Sequence, residues 1–183
     1  MKMYKIFSIF LLINLMSSHI FSQELVIAEE RVEPGIILIF EGAIKDTVHP
    51  ESSNLSESET NVHIEARVNW DSKNIPDGAV PFGFIPYLRI SSIIYNENNG
   101  LKTFVDLVPH INLIDNFHYA RNISLPGKID DNYTVVFKIS PPHKFDLALH
   151  NDWLNLYGKN LFENSEFKYT GIDFEEIAKA TRN

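Results

Sequence analysis

Asn61-Val62-His63-Ile64-Glu65-Ala66-Arg67-Val68 is the stretch on which the fold turns. Apolar residues take every second position: Val62, Ile64, Ala66 and Val68. Successive side chains of a strand point to opposite faces, so this alternation is that of a β-strand with one apolar face. His63, Glu65 and Arg67 then share the other face. An imidazole and a carboxylate two residues apart on a strand lie close and point the same way, which is half of a borderline metal site. The same spacing also arises on an ordinary solvent-facing strand, and the rest of the chain must decide between the two.

Outward from this stretch, strand signals recur and helical periodicity is nearly absent. Leu25 to Ala28 and Ile36 to Phe40 read as strands about the Pro34-Gly35 turn. Thr47 to Thr60 is polar and acidic and reads as an exposed loop. Asp71 to Pro86, rich in Pro and Gly, reads as a long structured loop. Tyr87 to Tyr95 and Leu101 to Val108 flank Asn96-Glu-Asn-Asn-Gly100, a hairpin turn, because Asn and Gly tolerate positive φ. Phe117 to Ile123, Tyr133 to Ile139 and Ser165 to Thr170 complete the strands. A short helix over Phe174 to Ala180, with Asp173 at its N-cap and Glu176 three residues on, is expected to close the chain. Seven or eight short strands with turns between them predict an all-β, antiparallel β-sandwich, Ig-like in architecture. The aromatic residues Phe82, Phe84, Tyr87, Trp153, Tyr157 and Phe162 are expected to serve core and loop packing.

Composition narrows the function classes. Lys2 and Lys5 precede an apolar run from Ile6 to Met16 and then Ser17, Ser18 and Ser22, the pattern of a secretory signal peptide over residues 1–22. The run is short of the about 20 apolar residues a spanning helix needs. Residues 23–183 are then expected to be one exported domain. The chain carries a net charge of −8, and loss of Lys2 and Lys5 deepens it to −10. Such acidity argues against nucleic acid and anionic lipid as partners. There is no Cys, so neither a disulfide nor a lipid anchor on Cys is available, and the three Met, at positions 1, 3 and 16, all fall in the leader. A metal in the exported part must be held by imidazole, carboxylate, carbonyl or water, which disfavours Cu(I) and leaves Fe, Mn, Zn or Cu(II).

Six His remain after the leader: His49, His63, His110, His118, His143 and His150. No HxH or HExxH pattern ties them together. With no Cys nucleophile, no Gly-x-Ser-x-Gly elbow and no phosphate-cradling Gly loop, the chain is not read as an enzyme.

Several segments, in order, resemble the Fe2+ transport protein family, periplasmic proteins that partner an inner-membrane iron permease. They are Asn61 to Arg67, Phe84-Ile-Pro-Tyr-Leu-Arg-Ile90, the Asn98-Asn-Gly100 hairpin, His118-Tyr-Ala-Arg-Asn122, Tyr133-Thr-Val-Val-Phe-Lys-Ile-Ser-Pro-Pro142 and Glu166-Phe-Lys-Tyr-Thr-Gly-Ile172. The resemblance implies an Ig-like β-sandwich, a homodimer, and a divalent metal ion (iron, with zinc or copper(II) as other occupants) held by three His, a Met and a Glu. Carried over singly, the strand pair falls on His63 and Glu65, the His of the His-Tyr segment on His118, and the last His on His150, with His143 a weaker match. The Met position falls near Leu107, where no Met stands. His110, Asp106 and Asp115 are the replacements in reach, and His110 is closest in chemistry. Loss of the soft thioether speaks against copper by the family's usual route. Imidazole ligands bind when neutral, so affinity is expected to fall below about pH 6.5. The other reading is an Ig-like interaction or structural domain whose metal site has degenerated.

Overall fold

The computed structural model describes residues 24–182, and the expected signal peptide lies outside them. The alternating segments form eight strands: β1 Glu24–Val32, β2 Ile36–Ala43, β3 Val62–Trp70, β4 Arg89–Asn96, β5 Lys102–Asn112, β6 Asn116–Ile123, β7 Asn132–Ser140 and β8 Ser165–Asp173. Two short α-helices, α1 Asn151–Leu156 and α2 Glu175–Lys179, and two 3-10 turns, Glu51–Ser53 and Glu57–Glu59, accompany the strands. All pairings are antiparallel, in the order β1-β2-β3-β6-β5-β4-β7-β8. This is the expected all-β sandwich, curled until it nearly closes. Tyr169 on the β8 edge donates a hydrogen bond to Glu30 on the β1 edge at 2.9 Å.

β5 turns the corner between the two halves. Its residues 102–107 pair with β4 and its residues 108–112 pair with β6. Leu107, where the family's Met was expected, is buried in the hydrophobic core. Across that core the Phe40 ring stacks on Phe137 at 4.1 Å. Val62, Ile64, Ala66 and Val68 are buried on the inner face of β3, as their alternation demands.

The opposite face of β3 is not a solvent face. His63 and Glu65 are only 4% and 2% exposed, and Glu41, the cross-strand neighbour of Glu65, is fully buried. Loop 44–61 lies against this face. Its Asp46 and Leu55 carbonyls accept hydrogen bonds from the Asn122 amide at 2.9 and 3.0 Å.

Three local expectations need correction. Helix α1 was not expected; six residues are too few to print a helical period on the sequence. The N-cap of α2 is Phe174, not Asp173, although Asp173 accepts the Glu175 N–H at 2.8 Å. Of the aromatic residues expected in packing, Phe82, Tyr87 and Tyr157 are exposed, and Phe82 and Tyr87 take positive φ, because the loop crosses the surface there in tight turns.

Candidate metal centre

Pairing register assembles the site. Glu65 of β3 lies opposite Ala120 of β6, which lies opposite Val108 of β5. His63 lies opposite Asn122, and His118 lies opposite His110. Period two along each strand therefore puts His63, Glu65, Asn122, His118 and His110 on one face of three neighbouring strands, away from the core. One nitrogen from each of His63, His110 and His118 lies within 4.8 Å of the other two. The ring centroids are 5.2 Å apart for His63 and His110, 5.8 Å for His110 and His118, and 6.2 Å for His63 and His118.

The hydrogen bonds define which nitrogens are free. Both protons of the Asn122 amide nitrogen go to backbone carbonyls, so its oxygen is the acceptor toward His63. His63 Nδ1–H donates to that oxygen at 2.6 Å. His118 Nδ1–H donates to the Asn116 carbonyl at 3.0 Å. Each ring is thereby locked with Nε2 as the bare lone pair, as second-shell partners do for metal-binding histidines. Glu65 Oε1 lies between them, 3.6 Å from His63 Nε2 and 3.9 Å from His118 Nε2. Glu65 Oε2 is buried with no hydrogen-bond partner.

These distances are in ion-pair range, yet the groups are not ions at neutral pH. Burial lowers His63 to about 4, against which the Asn122 bond works, and His118 pushes the same way as burial. Burial, then His63 and His118, lowers His110 to about 4. His118 is lowered as well, chiefly by burial. Burial, with the carboxylates of Asp115 and Glu41 nearby, raises Glu65 to about 8. His63 and His110 are thus neutral and ready to ligate well below the pH 6.5 expected from their ordinary value, and His118 is shifted the same way, because burial penalises the imidazolium. Arg67 answers the other buried carboxylate, pairing with Glu41 at 2.5 Å.

This donor set fits a divalent ion of borderline hardness: neutral imidazoles plus one carboxylate with an unpaired oxygen. Two ligands on one tetrahedral zinc lie about 3.3 Å apart when bonds are about 2.0–2.1 Å. The 4.8 Å bound on the ring nitrogens is within about 1.5 Å of that separation. A cavity of about 370 Å³ opens onto the rings; His63, His110, His118, His49, Asp46 and Arg182 are among its lining residues. Arg182 and Asp46 form an ion pair at 2.7 Å there.

The structure does not bring His150 to this cluster. His150 is the exposed N-cap of α1. Trp153, three residues on, packs against Trp70 with ring centroids 6.5 Å apart. Trp70 is seven residues along β3 from His63, about 23 Å away at the rise of a strand. His143 is exposed too, its ring 5.0 Å from Phe145. Asp106 is exposed and lines other grooves, while Asp115 accepts a hydrogen bond from Asn112 at 2.7 Å. Sequence reasoning passed over Asn122, although it stands four residues from His118 and period two puts it on the same face.

The family model described as Fe2+ transport protein matches residues 21–175. Among solved structures, a copper-bound variant of Campylobacter jejuni P19 is 26% identical, with a TM-score of 0.69 over 81% of this chain and 95% of that one. Copper-reconstituted P19 of the same organism is 24% identical, with a TM-score of 0.68 over 81% of this chain and 94% of that one. A copper-bound variant of FetP from uropathogenic Escherichia coli is 23% identical, with a TM-score of 0.66 over 81% of this chain and 95% of that one. FetP as isolated was expressed in the E. coli periplasm. No curated protein matches the chain in sequence.

Proposed function

The chain belongs to the Fe2+ transport protein family, and on that footing we propose that it is a periplasmic protein that binds a divalent metal ion at His63, His110 and His118 and supports iron uptake beside an inner-membrane permease. It is a binding protein, not an enzyme, and the ion is its cargo. The observation that carries this reading is the locking of two Nε2 lone pairs toward one point, with His110 alongside. A degenerate site would have no cause to keep those second-shell bonds.

Glu65 is an added ligand that ionises when the ion arrives. The absence of sulfur after position 16 favours Fe2+, zinc or copper(II) over copper(I). Copper in the P19 and FetP structures supports a copper(II)-competent site here as well. Residues 23–183 act as one exported domain after removal of the leader. The exported domain is a homodimer, supported by the exposed apolar residues Ile111, Leu113 and Ile114 at the β5–β6 hairpin, which a second copy would cover.

Titration of zinc or ferrous iron into the wild-type protein and His118→Ala tests the reading. The wild type is expected to bind one ion per chain, and His118→Ala to bind far more weakly. Equal, weak binding by both would sink it. Light scattering at working concentration reads the dimer.

A further inference from the structure

Four imidazoles line the cavity over the cluster, because His49 joins His63, His110 and His118 there. His49 stands on the 44–61 loop and is largely exposed. Its neighbour in ion-pair range is Glu51, at a loose 3.9 Å. Other donors lining the cavity are committed: Asp46 to Arg182 at 2.7 Å, and Asn112 to Asp115 at 2.7 Å.

The loop is tethered at two points by one side chain. Asn122 holds the carbonyls of Asp46 and Leu55 with its amide nitrogen, and its oxygen holds the ring of His63. Arg121 of β6 also holds the Ser53 carbonyl at 2.7 Å and the Asn54 side-chain oxygen at 3.3 Å, so the segment between the tethers is 47–52, and it carries His49. Three imidazoles and the Glu65 carboxylate make four protein donors, and an iron(II) or tetragonal copper(II) ion has room for a further one.

Resting on the metal-binding reading above, we propose that His49 is a further imidazole ligand, brought onto the ion by the 47–52 flap as it closes over the cavity. A ligand on an exposed flap has a specific use for a cargo ion. It completes the coordination on capture and withdraws first on release, while the three strand-borne rings keep their places.

The test uses the protein expressed from its full chain, loaded with one equivalent of copper(II), and its variants His49→Ala, His110→Ala, His143→Ala and His150→Ala. Nitrogen hyperfine structure in the copper(II) resonance spectrum counts imidazoles, and competition with a zinc chelator gives affinity. In His49→Ala one nitrogen is expected to vanish and zinc affinity to fall at least about tenfold, the lower end of what a lost outer partner costs a metal site. His143→Ala, an exposed imidazole elsewhere, is expected to match the wild type. An unchanged nitrogen count and affinity in His49→Ala overturns the inference if His110→Ala still loses binding. Loss of the nitrogen in His150→Ala and not in His49→Ala overturns it too, assigning that position to His150 from a second copy. If the wild type and His110→Ala bind alike and weakly, the metal-binding reading itself fails.

Discussion

On the proposed reading, Glu65 couples metal binding to protons. Burial raises it to about 8, so at pH 7 the metal-free protein holds this carboxyl protonated, while His63 and His110, lowered to about 4, are already neutral. Binding through Glu65 must therefore expel a proton that the histidines cannot supply. About one proton per ion is expected at pH 7. Calorimetry in buffers of different ionisation enthalpy counts it, and Glu65→Gln should abolish it. Release that persists in Glu65→Gln would remove the carboxylate from the ligand set. At His110 the chain has an imidazole where the family resemblance expects a thioether nearby. His110→Met is expected to raise affinity for copper(I) and lower that for zinc, since a soft sulfur replaces a borderline nitrogen; competition with a copper(I) chelator reads the change. The facing of His63 and Glu65 was legible from period two alone. His110 was legible only by its chemistry, and the role of Asn122 only from its three hydrogen bonds.

At the scale of elements, β6 does two jobs with adjacent residues. His118 faces the metal cavity, and Tyr119 faces inward, where its hydroxyl donates to the Ile85 carbonyl at 2.8 Å and accepts the Leu88 N–H at 3.0 Å. Those bonds fasten the segment before β4 to the strand that carries His118. Tyr119→Phe leaves both buried backbone groups unpaired, at about 1–3 kcal/mol each. Chemical denaturation should show a loss of about 2 kcal/mol or more, with metal affinity nearly unchanged because the cavity face is untouched. An equal loss of affinity would mean that the two faces of β6 are coupled. Most strands were legible because each shows its own alternation or a flanking turn. The misplaced element was the segment after Pro141-Pro142. Nothing local in His143 to His150 reveals that Trp153 carries this stretch to the Trp70 end of β3.

Across the whole molecule, the buried polar face sets how stability follows pH. His63 and His110 have folded values near 4 against an ordinary 6.5, so their contribution is present above about 6.5 and is lost as pH falls toward 4. Glu65, raised to about 8 from 4.5, acts with the opposite sign: its contribution is present below about 4.5 and is lost as pH rises through 8. The two oppose each other between about pH 4.5 and 6.5, and above that Glu65 is the one of these three still titrating. Metal-free protein should accordingly lose stability from about pH 6.5 to 8, a trend that Glu65→Gln removes in thermal unfolding. Added zinc at a hundred times its dissociation constant should contribute about 2.7 kcal/mol. The linear chain by itself determined that β-strands dominate, that His63 and Glu65 face one way, and that no sulfur is available after position 16, because alternation and composition are local properties. Only the tertiary structure decided that His110 joins His63 and His118 while His150 does not, and that their face is buried, not wet. The order β3-β6-β5 and its register bring together side chains about fifty residues apart. Such pairing is a non-local choice that period two within one strand does not carry.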